Sequence, residues 1–184
     1  MSNLVLIANK YVGQSEDPKA GNNNGFQNKW FENLLKEVGW LKGQSWCAYF
    51  IRLVVKEAYP DKWEKMNPIL SGSVLKTMNM LKSKGYKISN TPSVGSLVFW
   101  QNGSSAFGHI GIVVEICKDG IRVIEGNTDT VGSRDGGGVA IKFRRVSFNK
   151  SNTGLWMRGF IDIESTLSAP SVPATEPIRK LVWK

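Results

Sequence analysis

The chain holds two thiols, Cys47 and Cys117, and a single imidazole, His109, in 184 residues. Cys47 falls in GQSWCAYFIRLVV, one step inside the start of an apolar helical stripe. An unpaired cysteine on such a stripe is ordinarily a small core residue. Its place in the first turn permits a second role. There the free backbone N–H groups and the positive end of the helix dipole favour a thiolate, the form that attacks a carbonyl carbon. His109 opens the segment HIGIVVEI, where His109, Gly111, Val113 and Glu115 share one strand face. The opposite face, Ile110, Ile112, Val114 and Ile116, is continuously apolar. Gly111 leaves the histidine's face open to an approaching helix end or ligand. In IEGNT, Glu125 and Asn127 lie two apart and point the same way from a strand. Thiol, imidazole and oxygen acceptor are the parts of a nucleophile, its base and the group that orients the base.

Whether these parts meet depends on strand register. If Lys118, Asp119 and Gly120 form a three-residue turn, with Gly120 free to take positive φ, Cys117 pairs with Ile121 and Val113 with Glu125. Asn127 is then a diagonal neighbour of His109 on one face. A two-residue turn would send His109 to the opposite face. On the residues alone, either Glu125 or Asn127 orients the imidazole. Cys117, mid-strand between Ile116 and Lys118, reads as structural.

The elements that must hold these residues come in two blocks. Leu4, Ile7, Ala8 and Tyr11 have the spacing of one buried helix face, and Trp30, Leu34 and Val38 repeat at four, with Gly39 placed to close that helix. Cys47, Phe50, Ile51, Val54, Val55 and Ala58 form a third stripe. Val74, Met78 and Leu81 form a fourth, with Ser73 as its N-cap and Gly85 as its stop. After Pro92 short β-branched runs follow at 97–100, 110–116, 121–125, 139–146 and 155–163. Helices followed by antiparallel strands predict an α+β domain over residues 1–164. STLSAPSVPATEP, residues 165–177, has linker composition, and residues 178–184 form a short basic-aromatic tail suited to docking on a virion or partner protein.

Composition bounds the function. The content of 41% hydrophobic and 21% charged residues is that of an ordinary globular chain, and two cysteines make no disulfide framework. The apolar run Leu4–Ala8 has no basic residue before it and is too short for a signal-peptide core, so synthesis in the cytoplasm without a signal peptide is expected. No apolar stretch reaches bilayer length, so no membrane insertion is expected. A net charge of +9 favours an anionic partner, but the basic residues are scattered and no nucleic-acid motif accompanies them. One histidine and two distant cysteines cannot build a zinc site, and Asp17 with Asn22–Asn24 offers a single carboxylate for calcium. No metal and no cofactor are expected, and nucleic acid is not expected as a partner.

The motifs SWCAYF, SVGSLVFW, GHIGIVVEI and VIEGNT, in that order, resemble the CHAP family of cysteine, histidine-dependent amidohydrolases and peptidases, a branch of the papain-like NlpC superfamily. GGGVAIKFRR and MRGFIDI resemble its later strands, so the likeness runs from about residue 5 to residue 163. It implies a papain-like NlpC/CHAP fold, with N-terminal helices on a mostly antiparallel sheet of five or six strands. It also implies hydrolysis of a peptidoglycan amide by Cys47 as nucleophile and His109 as base. Glu125 would match the family's third residue and Asn127 the asparagine that follows it. Gln44 would assist the oxyanion if it is more than a surface residue, and Trp46 and Trp100 would line a groove if they are more than core-edge residues. Two departures stand out. Ser96 replaces an aspartate common in relatives, and EVGWLKGQS holds only Glu37 where some relatives carry several calcium-binding carboxylates.

The resemblance makes the expected product a phage-encoded lysin or virion-associated wall-degrading enzyme, reaching the bacterial wall through a holin, a virion or a secretion machine. The same residues suit a delivered antibacterial amidase toxin. A CHAP-like module that grips wall polymer without cutting it is the alternative.

Overall fold

The structure, a computed structural model, describes residues 2–128 and 136–167. Four longer helices come first: α1 (Asn3–Asn9), α2 (Lys29–Glu37), α3 (Cys47–Ala58) and, after a 3-10 turn at Pro60–Lys62 and the short α4 (Trp63–Met66), α5 (Val74–Ser83). Five strands follow: β1 (Leu97–Asn102), β2 (Gly108–Cys117), β3 (Gly120–Thr128), β4 (Gly138–Arg144) and β5 (Leu155–Ile161). They form one antiparallel sheet in the order β4-β3-β2-β1-β5. The last described element is α6 (Glu164–Leu167). The remainder of the expected linker, and the whole tail, lie outside the described residues.

α3 is the hub. Cys47, Ala48, Phe50, Ile51, Leu53, Val54 and Val55 are all buried, the signature of a helix enclosed on most sides. It packs on β2, β3, α1 and α2. Around its first turn Phe26, Phe31, Trp40 and Trp46 stack edge-to-face, with ring centroids 5.0–5.9 Å apart. α2 meets this cluster through Phe31 and Leu35, not through the expected Trp30 and Leu34. Trp30 is 59% exposed, and the buried stripe of α2 lies one residue further along, on Phe31 and Leu35. Gly39 does close α2. At φ +95° it lets Trp40 N–H reach the Leu35 carbonyl and its own N–H reach that of Lys36, a Schellman cap. Gly85 ends α5 in the same way. Ser73 stands at the N-cap of α5, but its hydroxyl makes no capping bond.

The sheet buries both faces. Ile110, Ile112 and Ile124 join the helices, while Val98, Trp100, Val113, Ile121, Val123, Met157 and Phe160 form a smaller second cluster. The β2–β3 connection differs from the expected turn. Cys117 pairs directly with Gly120, so the loop has two residues, Lys118 and Asp119. Uncorrected, this register would put His109 and Glu125 on opposite faces. A bulge at Val114 restores them. On its far side Val113 pairs with Val123 and Gly111 with Glu125. Gly120 is not in the left-handed region; it is glycine because a Cβ there would strike the Arg144 carbonyl on β4.

Arg52 ties the turn after α4 to α3. Its guanidinium donates to the carbonyls of Val38, Asn67 and Leu70 and to Asn67 Oδ1, and it lies 5.4 Å from the Trp63 ring centroid.

Gly126 is where α3 and β3 come closest. A Cβ there would sit 2.7–2.8 Å from atoms of Phe50 and Trp46. Neither ring can retreat from a close-packed core, so Gly126→Ala should cost about 1–3 kcal/mol of stability. Urea unfolding measures this, and an unchanged midpoint would contradict the close packing.

Candidate active site

Each candidate side chain is delivered by a different element. Cys47 is the first residue of α3, and Trp46 before it is held by a hydrogen bond from its indole N–H to the buried Glu16 carboxylate at 2.6 Å. Glu16 also accepts from Asn23 N–H at 2.8 Å, and the Asn23 carbonyl accepts from Gly43 N–H at 2.7 Å. The loop before α2 thus fixes the approach to the nucleophile. Phe50 N–H is the first in α3 to bond back, to the Trp46 carbonyl at 2.8 Å, which leaves the N–H groups of the first turn without helical acceptors.

His109, near the start of β2, is fully buried. Its Nε2 lies 2.8 Å from Glu125 Oε2, and Glu125 is also fully buried. Gly111 makes this pairing possible, since a Cβ there would collide with the side chains of Val123 and Glu125. Nδ1, on the other side of the ring, accepts or donates no hydrogen bond of ordinary length and angle among the described residues. Cys47 acts on the imidazole too, through hydrogen bonding and charge. The Trp100 ring packs beside it at 5.8 Å.

Glu125 is gripped from behind as well. Arg144 donates Nε to Oε1 at 2.8 Å and Nη2 to Oε2 at 2.6 Å, a two-pronged ion pair, and lies 5.6 Å from the Trp100 centroid. In the sequence Arg144 is one basic residue among many scattered along the chain. Its signal was the period of two along β4, which puts Ala140, Lys142 and Arg144 on the face that carries Glu125.

Glu125 and Asn127 are separated by an irregularity. The β3–β4 register slips between Glu125 and Thr128, and Asn127 takes φ +56°, a conformation asparagine tolerates better than most residues. So Glu125 bonds the imidazole, while Asn127 lines a cleft with Cys47. This cleft, about 590 Å³, is walled by Gly43–Ser45, Tyr49, Ser71–Val74 and Ala106–Gly108. Cys47, only 5% exposed, lines it while His109 stands behind. Gln44 borders the cleft, with its Oε1 turned back to Leu41 N–H. Trp46 and Trp100 are buried and not among the lining residues. Among the described residues, no group of three or more His, Cys, Asp or Glu side chains could hold a metal ion. No helix among them is long and apolar enough to cross a membrane.

Burial opposes charge on both members of the central pair, but the partners prevail. Hydrogen bonds and charge from Cys47 and Glu125 raise the His109 pKa to about 9. The Arg144 and His109 hydrogen bonds lower that of Glu125 to about 2.

A cysteine at the start of a helix beside a histidine on an antiparallel sheet is the papain-like arrangement. Within that class the chain belongs to the CHAP domain family, whose model matches residues 37–127, from the end of α2 to Asn127. The strands β4 and β5 lie beyond the matched stretch. A Streptococcus mutans protein provisionally named a hydrolase is 39% identical over 46 residues, which cover 24% of this chain and 21% of the relative. The chain thus spans about a fifth of the curated relative it matches. No solved structure matches it.

The pKa shifts fix a stability profile. His109, raised from an unfolded value near 6.5 to about 9, stabilises the fold fully below about pH 6.5 and loses that contribution as pH rises to about 9. Glu125, depressed from near 4.5 to about 2, stabilises above about pH 4.5 and loses its share as pH falls towards 2. The difference in unfolding free energy between wild type and His109→Gln should therefore shrink between about pH 6.5 and 9. A constant difference across that window is incompatible with the raised His109 pKa.

Proposed function

We propose that the protein is a cysteine-dependent hydrolase that cleaves an amide bond in bacterial peptidoglycan. The observation that carries this reading is the buried His109–Glu125 hydrogen bond behind a cysteine that lines an open cleft. In the proposed reaction, the Cys47 sulfur attacks the scissile carbonyl carbon while His109 takes the thiol proton through Nδ1. Backbone N–H groups in the first turn of α3 stabilise the oxyanion. The C–N bond then breaks, His109 protonates the leaving amine, and a thioester remains on Cys47. Water, deprotonated by His109, attacks the thioester, the C–S bond breaks to release the acid, and the proton returns from His109 to the Cys47 sulfur. Glu125 holds the Nε2–H tautomer that leaves Nδ1 free for this traffic. Asn127 acts as a wall residue next to the sulfur.

Support for the wall as substrate comes from family membership and from a net charge of +9 suited to a polyanionic envelope. The groups named suit the N-acetylmuramoyl-L-alanine amide and a stem or cross-bridge peptide bond equally, and a lysin role at the wall follows from either.

Zymography on purified peptidoglycan tests the reading. Wild type and Cys117→Ala should clear the substrate. Cys47→Ala and His109→Ala should lose at least about 10³-fold in rate, because nucleophile and base act as a unit. Equal clearing by wild type and Cys47→Ala would refute the cysteine mechanism. Wall binding by all variants without clearing would identify a binding module instead.

A further inference from the structure

We propose that Arg144 is a positioning residue of this site, supplying the counter-charge that lets the Glu125-bound imidazole release its proton. The inference rests on the cysteine–histidine reading above.

A carboxylate with no exposed surface persists as an anion only while it is paired. Glu125 has two cationic partners on one oxygen, since Oε2 receives both His109 Nε2 at 2.8 Å and Arg144 Nη2 at 2.6 Å. Catalysis requires the imidazole to alternate between charged and neutral forms. When His109 is neutral, Arg144 still neutralises Glu125, and no unpaired charge is left in the interior. Without Arg144, the same proton release would strand a buried anion, and the His109–Glu125 pair would hold its proton to a higher pH. The second prong, Nε to Oε1 at 2.8 Å, also fixes the carboxylate plane. Trp100 packs against both ends of the array, beside the imidazole and under the guanidinium. Among the described residues, the charged or titratable groups facing the imidazole are Cys47 from α3 and Glu125 from β3, with Arg144 from β4 behind the latter. Lys142, two residues earlier on the same face and opposite Val123, is the next cation along β4.

The single histidine gives one imidazole signal, so NMR titration of the full chain reads His109 directly. Arg144→Gln should move its midpoint up by about one pH unit or more and lower kcat on peptidoglycan about 10- to 100-fold, with KM changed less than about threefold. Arg144→Lys, which keeps the charge but not the fork, should titrate near wild type and recover part of kcat. Glu125→Gln provides a second reading if Arg144→Gln does not fold. It leaves the guanidinium charge beside an imidazole with no anion between them, so the midpoint should fall below about 6.5. An unchanged or lower midpoint in folded Arg144→Gln overturns the proposal, and so does a Glu125→Gln midpoint at or above that value. A wild type inactive on peptidoglycan would instead sink the functional reading, while the titration would still decide the role of Arg144.

Discussion

One buried carboxylate organises this site. Glu125 has no exposed surface, yet it is ionised, because His109 and Arg144 together saturate its two oxygens. Removing Arg144 would leave that charge to the titrating imidazole alone, and proteins tolerate an unpaired charge in the interior poorly. The pair therefore constrains three strands at once, β2, β3 and β4, and through Trp100 it constrains β1. Most of the sheet is built so that one side chain can be charged where charge is expensive.

The sheet meets this demand with irregularities as well as with pairing. The Val114 bulge corrects the face on which His109 lies, and the slip between Glu125 and Thr128 parts the roles of two neighbouring polar residues. Glycines do the rest by absence. Gly111 leaves room for the Glu125 side chain, and Gly126 lets Phe50 and Trp46 lie against the strand. Bulges of this kind concentrate beside functional sites because each re-aims a side chain without unmaking the ladder.

How much of this was legible beforehand follows from the range of each signal. The α3 stripe, all five strands and the left-handed Gly39 and Gly85 were readable, since periodicity and cap chemistry are local. The coming together of Cys47, His109 and Glu125 could be named only through motif order and family resemblance. The register that achieves it was left open between two turn lengths, and neither alone gives the observed pairing. A two-residue loop joins β2 to β3, and the bulge that compensates has no distinct mark among the β-branched residues of HIGIVVEI. Trp30 was placed on the buried face because α2 is short, and in so few turns the apolar spacings 30/34 and 31/35 compete on nearly equal terms. Arg144 was missed for a different reason. Its partner lies on a neighbouring strand, and charge counts do not register pairs brought together only by the sheet.

Arg52 suggests how the cleft can vary while the reaction machinery stays fixed. Of the three acceptors it holds in the turn after α4, two are main-chain carbonyls, which any residue type presents alike. That turn leads directly into Ser71–Val74, one wall of the cleft. The path of the wall is thus anchored largely to backbone, leaving the side chains that meet a ligand open to exchange. Evolutionary or engineered changes of preference have a natural place there, insulated from the buried charges that do the chemistry.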